Sequence, residues 1–489
     1  MQSTHTEAWL RSLYYVLLIL LLLYFFYVIY QDQRKNDLVE SEVSDIINEN
    51  KEENQEDISI PATPIRTPAR FEYQKISTTN LRLVSPSRID FSEVNSTVTL
   101  KDLQRAIQDE SFINQYRESI RSGFQIKLKR YVKILQETIS ELKAIDKGTN
   151  SIVAVHDTNL NRLKKTKSEI EEVILAVKKK LTELNNESVL KGLKEAIYDR
   201  DKGIESLIGR EEVKDFLAVQ IISFAQNSKI FFNNFQNIII FGKSGVGKTK
   251  LAETIGFVYS KSGILARQKV KLTTSESFKS SYVNEAASLT KSLIYQNLEQ
   301  VLFCDEIYAL LPPKSIFGRG IDHGEEAVSQ LVNDLDKLIG LTIFIGAGYK
   351  DQVKDRFLDS NEGLQRRFSN QIELTDYDSK QLTDIFIKFV RTSSPDLLIS
   401  SADASYIFTI IDYLYIKDKD IFEKQAGDVL NLSQFFLRTL YSSKNRKWTP
   451  GDLKVNASVC IDGFNAWLKS KNKPVLTYSK DIPKIAEVC

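Results

Sequence analysis

The sequence predicts an α/β protein built around a phosphate-binding loop, on three observations. The apolar run NIIIF is followed at once by GKSGVGKT, Gly242 to Thr249, and then by the helical stretch KLAETIGFVYS. That is the strand, loop, helix order such a loop needs. Farther on, VLFC at 301–304 reads as a short buried strand that ends in two acids, Asp305 and Glu306. A third apolar run, TIFIG, supplies another strand before the segment AGY at 347–349.

With 489 residues the chain is long enough for two or three domains. Lys and Arg number 66 against 64 Asp and Glu, a formal charge of +2, so bulk charge gives no support for nucleic-acid binding. The cysteines, Cys304, Cys460 and Cys489, are three, far apart and accompanied by only three histidines. Neither a disulfide framework nor a zinc site is expected from such spacing.

Leu13 to Tyr30 reads LYYVLLILLLLYFFYVIY, without a charge, Gly or Pro and with Tyr at both ends. This predicts a transmembrane helix of near-minimal length, and no small-x-small cleavage pattern follows it. Arg11 precedes the segment and Arg34 and Lys35 follow it, a basic bias that places the body on the cytosolic side. Sequons at Asn95, Asn186, Asn431 and Asn456 would permit glycosylation in the alternative, a lumenal body. Residues 31–95 are polar and then carry PATPIRTPAR, so a flexible spacer is expected there.

Between about 100 and 200 the apolar positions repeat. Leu128, Val132, Leu135, Ile139 and Leu142 form one set, and Leu160, Leu163, Ile170, Ile174, Val177, Leu181 and Leu184 a second with a narrow three-four seam. A turn at DKGTN, 146–150, would fold the two helices into an antiparallel hairpin; an oligomerising or partner-binding coil is the alternative.

In the loop, glycines let backbone amides face phosphate oxygens, Lys248 sets a charge on the outer phosphates, and the Thr249 hydroxyl can ligate magnesium. The nucleotide-binding set is Gly242, Lys243, Ser244, Gly245, Val246, Gly247, Lys248, Thr249 and Lys250. Asp305 would hold Mg2+, directly or through water, and Glu306 would polarise the attacking water, which is hydrolysis chemistry. No N-K-x-D tetrapeptide follows, so ATP rather than GTP is expected.

These motifs resemble the AAA+ ATPases, within them the branch of the red-type rubisco activase and the stage V sporulation protein K. The similarity covers about residues 204–470. It begins at ESLIGREEVKDFLAVQI, includes DHGEEA with Asp322, Gly324, Glu326 and Ala327, and continues through AGY and SNEGLQRRF. It implies a three-layer nucleotide domain with a small helical lid, assembling as a homo-hexameric ring with ATP between subunits. It also implies a trans-acting arginine at Arg367, with Arg366 adjacent, and a pore loop carrying Tyr282 and Val283 that grips a polypeptide. Two departures stand out. Tyr349 of AGY occupies the place of the usual polar phosphate sensor, and KQAGDVLNLSQ has Val429 and Leu430 where many relatives have a lid arginine.

The expected organisation is an anchor at 1–30, a linker at 31–95, a helical region at 96–203, the nucleotide domain at 204–376, a lid at 377–470 and a tail at 471–489. The expected function is a membrane-anchored ATPase that remodels, unfolds or disassembles a protein substrate without cleaving it, since no H-E-x-x-H is present. An ATP-dependent membrane-tethered switch or scaffold with little turnover is the alternative.

Overall fold

The computed structural model describes residues 98–147, 153–279, 285–312, 323–442 and 457–477. The anchor expected at Leu13 to Tyr30, the spacer at 31–95 and residues 148–150 of the turn expected at 146–150 lie outside them, while Asp146 and Lys147 end a helix. Among the described residues no helix is long and apolar enough to cross a membrane.

The chain divides into two compact units. One holds, of the described residues, 127–147; the other holds 98–126 and 153–477. Helix α1 (Leu100–Ala106) opens the second unit with a capping box, in which Thr99 donates both its N–H and its hydroxyl to Asp102 at 2.8 Å. Two long helices follow, α2 (Glu110–Lys147) and α3 (Val153–Thr182), then α4 (Asn186–Tyr198). These cover both apolar sets read from the sequence except Leu184, which lies between α3 and α4. In α3 the seam residues Ile170, Ile174 and Val177 are fully buried.

Helices α5 (Glu211–Gln226) and α6 (Ser228–Asn233) lead into the sheet, with Leu100 N–H donating to Asp215 Oδ1 at 2.7 Å to join α1 to α5. The sheet elements are β1 (Ile238–Gly242), α7 (Lys248–Lys261), β2 (Val270–Thr274), α8 (Glu285–Tyr295), β3 (Val301–Asp305), α9 (His323–Lys337), β4 (Ile343–Gly348), α10 (Glu362–Arg367) and β5 (Asn370–Leu374). All five strands are parallel in the order β2-β3-β4-β1-β5. Their continuous apolar runs follow from this, because a parallel sheet is covered on both faces and has no solvent side to alternate with. Residues Ile238 to Phe241 and Val301 to Cys304 are buried without interruption.

Helix α3 lies against α8, held by Arg162 Nη2 at 2.7 Å from Glu285 Oε1. Arg267, just before β2, bonds Glu169 and Glu172 of the same helix at 3.2 and 3.0 Å.

Beyond β5 come α11 (Ser379–Ser393), α12 (Ser401–Lys417), α13 (Gln425–Ser442) and α14 (Ala457–Ser470). They share a core in which Phe386 meets Phe436 edge-on at 5.4 Å and Phe422 stacks on Trp467 at 5.5 Å. Each buried side chain of this size contributes about 1.5–3 kcal/mol, so the group, expected from the sequence to be a lid, coheres around its own apolar core. Asp428, buried at the start of α13, accepts from Lys424 N–H at 2.7 Å and pairs with Lys471 at 2.7 Å. That pairing fixes the end of the helix that faces the phosphate loop.

Candidate functional site

In the observed strand order β4 lies between β1 and β3, so the ends of all three strands meet at one edge. Phe241 is in register with Gly348, and Cys304 with Gly346. Ligands of parallel sheets bind at this carboxyl edge. The loop after β1, the acid pair ending β3 and Tyr349 beyond β4 are consequently neighbours.

The loop from Gly242 to Gly247 turns sharply into α7. Gly245 and Gly247 have φ of +78° and +96°, backbone that a side chain would strain, and Gly247 is the N-cap of α7. The Lys248 ammonium lies back along the loop, donating to the Gly242 carbonyl at 3.1 Å and the Lys243 carbonyl at 2.9 Å. Burial pushes its pKa below the ordinary lysine value, and the charges of Asp305 and Glu306 oppose that shift. Those acids thus lie close enough to the lysine to act on its charge. Lys243 pairs with Asp376 at 2.8 Å, and Lys250 donates to the Asp201 carbonyl at 2.7 Å, both directed away from the loop interior.

Asp305 accepts the Glu306 N–H on Oδ1 at 3.0 Å. Glu306 has φ 49° and ψ 43°, left-handed backbone rare for a residue with a Cβ and often retained at functional sites. Its carboxylate is exposed at the tip of β3. Cys304 behind it is buried, which pushes its thiol pKa up and keeps it inert.

Tyr349 is 40% exposed with the Lys248 ammonium 5.7 Å from its ring centroid. An aromatic face thus stands where the resembled family usually has a polar sensor, the departure already read from AGY. Its neighbour Tyr308 is almost buried, and its phenol pKa is raised, first by burial and then by the Glu306 charge.

The arginine pair divides differently from the expectation. Arg367 is only 5% exposed. Its Nε donates to the Val332 carbonyl at 2.7 Å, Nη1 to the Gly363 carbonyl at 2.8 Å and Nη2 to Asp336. Its guanidinium also lies 5.9 Å from the Phe235 ring centroid. The guanidinium expected to act in trans is thus bonded at three nitrogens within its own chain. The side chain of Arg366 is 71% exposed, with Asp336 at 3.6 Å. Tyr282, Val283 and Asp322 lie outside the described residues.

Two groups were missed by sequence reading. Arg210, in the opening GREEVK segment, stacks its guanidinium 4.1 Å from the Tyr377 ring centroid and donates to the Val246 carbonyl at 3.1 Å and the Thr375 carbonyl at 2.8 Å. Tyr377 adds its hydroxyl to the Val246 carbonyl at 3.0 Å. Together they brace the loop from behind, and only the position of Arg210 within a matched motif could have signalled it.

The lid meets the loop through backbone. Ala426 N–H donates to the Gly245 carbonyl at 3.2 Å, while Val429 is buried in the lid core and Leu430 faces outward. No lid arginine is needed for this contact. The donor set suits magnesium: Thr249 and Asp305 offer hard oxygens, and Mg2+ takes one or two protein ligands together with substrate phosphates and water.

Residues 238–375 match the AAA family, the ATPase family associated with various cellular activities. Relatives include the ESX-2 secretion system protein EccA2 of Mycobacterium bovis, 34% identical over 161 residues, which are 33% of this chain and 26% of that protein. The ESX-1 secretion system protein EccA1 of Mycobacterium tuberculosis is 35% identical over 154 residues, 31% of this chain and 26% of its own length. The ESX-3 secretion system protein EccA3 of Mycolicibacterium smegmatis is 24% identical over 260 residues, 51% of this chain and 42% of its own. The matched part thus spans less than half the length of each of these relatives. Residues 238–375 are thus similar to AAA domains, and they form an α/β module with a five-stranded parallel sheet.

Proposed function

We propose that the protein is a membrane-anchored AAA ATPase that spends ATP on remodelling, unfolding or disassembling a protein substrate. The observation that carries this reading is the convergence of Lys248, the acid pair and Tyr349 at one sheet edge, with the lid backbone against Gly245. ATP lies along the loop with its outer phosphates on the loop amides and Lys248. Glu306 accepts a proton from water as the water oxygen bonds to the terminal phosphorus and the bond to the bridging oxygen breaks, releasing ADP and phosphate. Thr249 and Asp305 would hold Mg2+, which would supply charge to the phosphate oxygens.

Subunits form a homo-hexameric ring, and Arg366 of one subunit reaches the ATP of the next, where its charge stabilises the transferred phosphoryl group. Closing and opening of that interface moves Tyr282 and Val283, which pull the substrate. Resemblance to the red-type rubisco activase branch and relatives named for secretion systems both support a protein as the object of the work. The segment Leu13 to Tyr30 inserts in the membrane with the body on the cytosolic side.

The test is ATP turnover of the full chain in detergent, beside Glu306→Gln and Tyr282→Ala. The expected results are near-complete loss of turnover for Glu306→Gln, and loss of substrate-stimulated turnover and biological activity for Tyr282→Ala. ATP binding without turnover by the wild-type chain would favour the tethered switch instead.

A further inference from the structure

Glu306 is weakly held for a catalytic base. Its main chain sits in left-handed backbone, fixed by the Asp305 carboxylate on its N–H and by Ala309 N–H on its carbonyl at 2.8 Å. Those contacts orient the backbone, and the carboxylate itself is exposed. General-base catalysis requires the carboxylate within hydrogen-bond reach of one water in one direction.

Beside it stands a cluster outside the phosphate loop and the acid pair. Tyr308 lies in the short turn Ile307–Leu310 with its ring against Gly348, where a Cβ would come within 2.7 Å of Cδ1 and 2.9 Å of Cε1. Only glycine at the end of β4 lets the tyrosine lie this close to the sheet edge. The Tyr349 ring is 6.4 Å from that of Tyr308, and the Arg356 guanidinium is 5.2 Å from the Tyr308 ring centroid. Arg356 is fixed in turn by Nη2 donating to the Leu311 carbonyl, while its buried Nε has no hydrogen-bond partner.

A half-buried guanidinium whose Nε is shut off from water with its donor unused is an expensive way to fill space. It stands in the π-helical turn Val353–Phe357, a distortion that recurs at functional sites. Packing alone would be served as well by phenylalanine at 308 and an aliphatic residue at 356. The polar ends of both side chains therefore need an explanation that their apolar contacts do not give.

We infer that Tyr308 is a positioning residue for hydrolysis: its hydroxyl donates to the Glu306 carboxylate and aims it at the attacking water, while Arg356, stacked on the ring and tied to Leu311, holds the tyrosine in place. The inference rests on Glu306 acting as the base. Tyr308 stays a donor at neutral pH, since burial and the Glu306 charge both keep its proton on. The contact lies one step from the Lys248 ammonium through the Tyr349 ring, so the two catalytic charges share one aromatic wall.

Tyr308→Phe keeps every ring contact and removes only the hydroxyl. The experiment measures steady-state ATPase rates, binding of a fluorescent ATP analogue and the unfolding midpoint for four full-length chains in detergent: wild type, Tyr308→Phe, Glu306→Gln and the double variant. A misaimed catalytic group costs on the order of 100-fold. The expected result is a fall in kcat of about 10- to 100-fold for Tyr308→Phe, with KM, analogue affinity and unfolding midpoint unchanged. In the Glu306→Gln background the second substitution has no further effect, because a positioning group acts only through the group it positions.

Wild-type kcat in Tyr308→Phe overturns the inference, as does an equal loss in both backgrounds. A loss that appears in KM or stability with kcat intact makes Tyr308 a packing residue and overturns it as well. If the wild-type chain does not hydrolyse ATP, or Glu306→Gln turns over normally, the reading of Glu306 as base falls and this inference falls with it.

Discussion

Adjacent arginines at 366 and 367 should behave as opposites. Arg367 has three of its nitrogens donating within the subunit, one of them to the Asp336 carboxylate. Removing one partner of a buried ion pair costs about 3–5 kcal/mol, mostly from the charge left behind. Asp336 is 38% exposed and keeps part of its hydration, so the loss here is discounted to about 2–3 kcal/mol. Two backbone carbonyls lose their donors in addition. Arg366, 71% exposed with one long contact, should change stability by no more than about 0.5 kcal/mol when replaced by alanine.

The assay pairs denaturant unfolding with ATP turnover. Arg367→Ala should unfold at clearly lower denaturant, and its residual folded fraction should still bind nucleotide. Arg366→Ala should unfold as wild type does, bind ATP normally and lose turnover by about 10³-fold or more, the magnitude typical of a trans-acting arginine. Mixing Arg366→Ala with Glu306→Gln should restore activity at interfaces that pair an intact arginine with an intact base. The reverse pattern, a stable inactive Arg367→Ala beside an active Arg366→Ala, would refute the assignment made from burial.

Gly245→Ala should weaken nucleotide binding and displace the lid, because a Cβ there would come 1.9 Å from the Lys424 carbonyl oxygen in backbone of φ +78°. Gly427→Ala, whose Cβ meets nothing nearer than 3.8 Å, is the control and should bind normally in the same titration. Arg210→Ala removes a charged donor from the loop; such a bond is worth about 1.5–3 kcal/mol, so ATP affinity should fall at least about tenfold in a fluorescence titration. Asp418 is held below the usual carboxylate range first by its hydrogen bond from Lys473. Its contribution is therefore present at neutral pH and lost as pH falls from the ordinary carboxylate value through the lowered one. Acid unfolding followed by Trp467 fluorescence should lose that part of its pH dependence in Lys473→Gln.

What could be read from the sequence was local in the chain. The phosphate loop is eight consecutive residues between a strand and a helix, and the acid pair ends a strand, so spacing alone announced both. The two long helices before the sheet were likewise carried by their own apolar period. Which arginine of the pair is buried was not legible, for a reason of phase. In the six-residue helix Glu362–Arg367 a single step turns a side chain by about 100°, from solvent to Asp336 and Val332, and no pattern that short defines which face is buried.

Contacts that join distant segments left no trace in any one stretch. Arg356 and Leu311 are 45 residues apart, and their meeting follows from β4 lying beside β3, which only the strand order decides. The lid's approach to Gly245 was invisible for a different reason: it is made by the backbone at 424–426, which any side chains could supply. Absence of the expected lid arginine therefore does not argue for a detached lid. A lid that touches the loop through main chain is sensitive to how far the loop backbone moves and does not need an arginine at Val429 or Leu430. Coupling between nucleotide and lid in this protein should accordingly respond to substitution at Gly245.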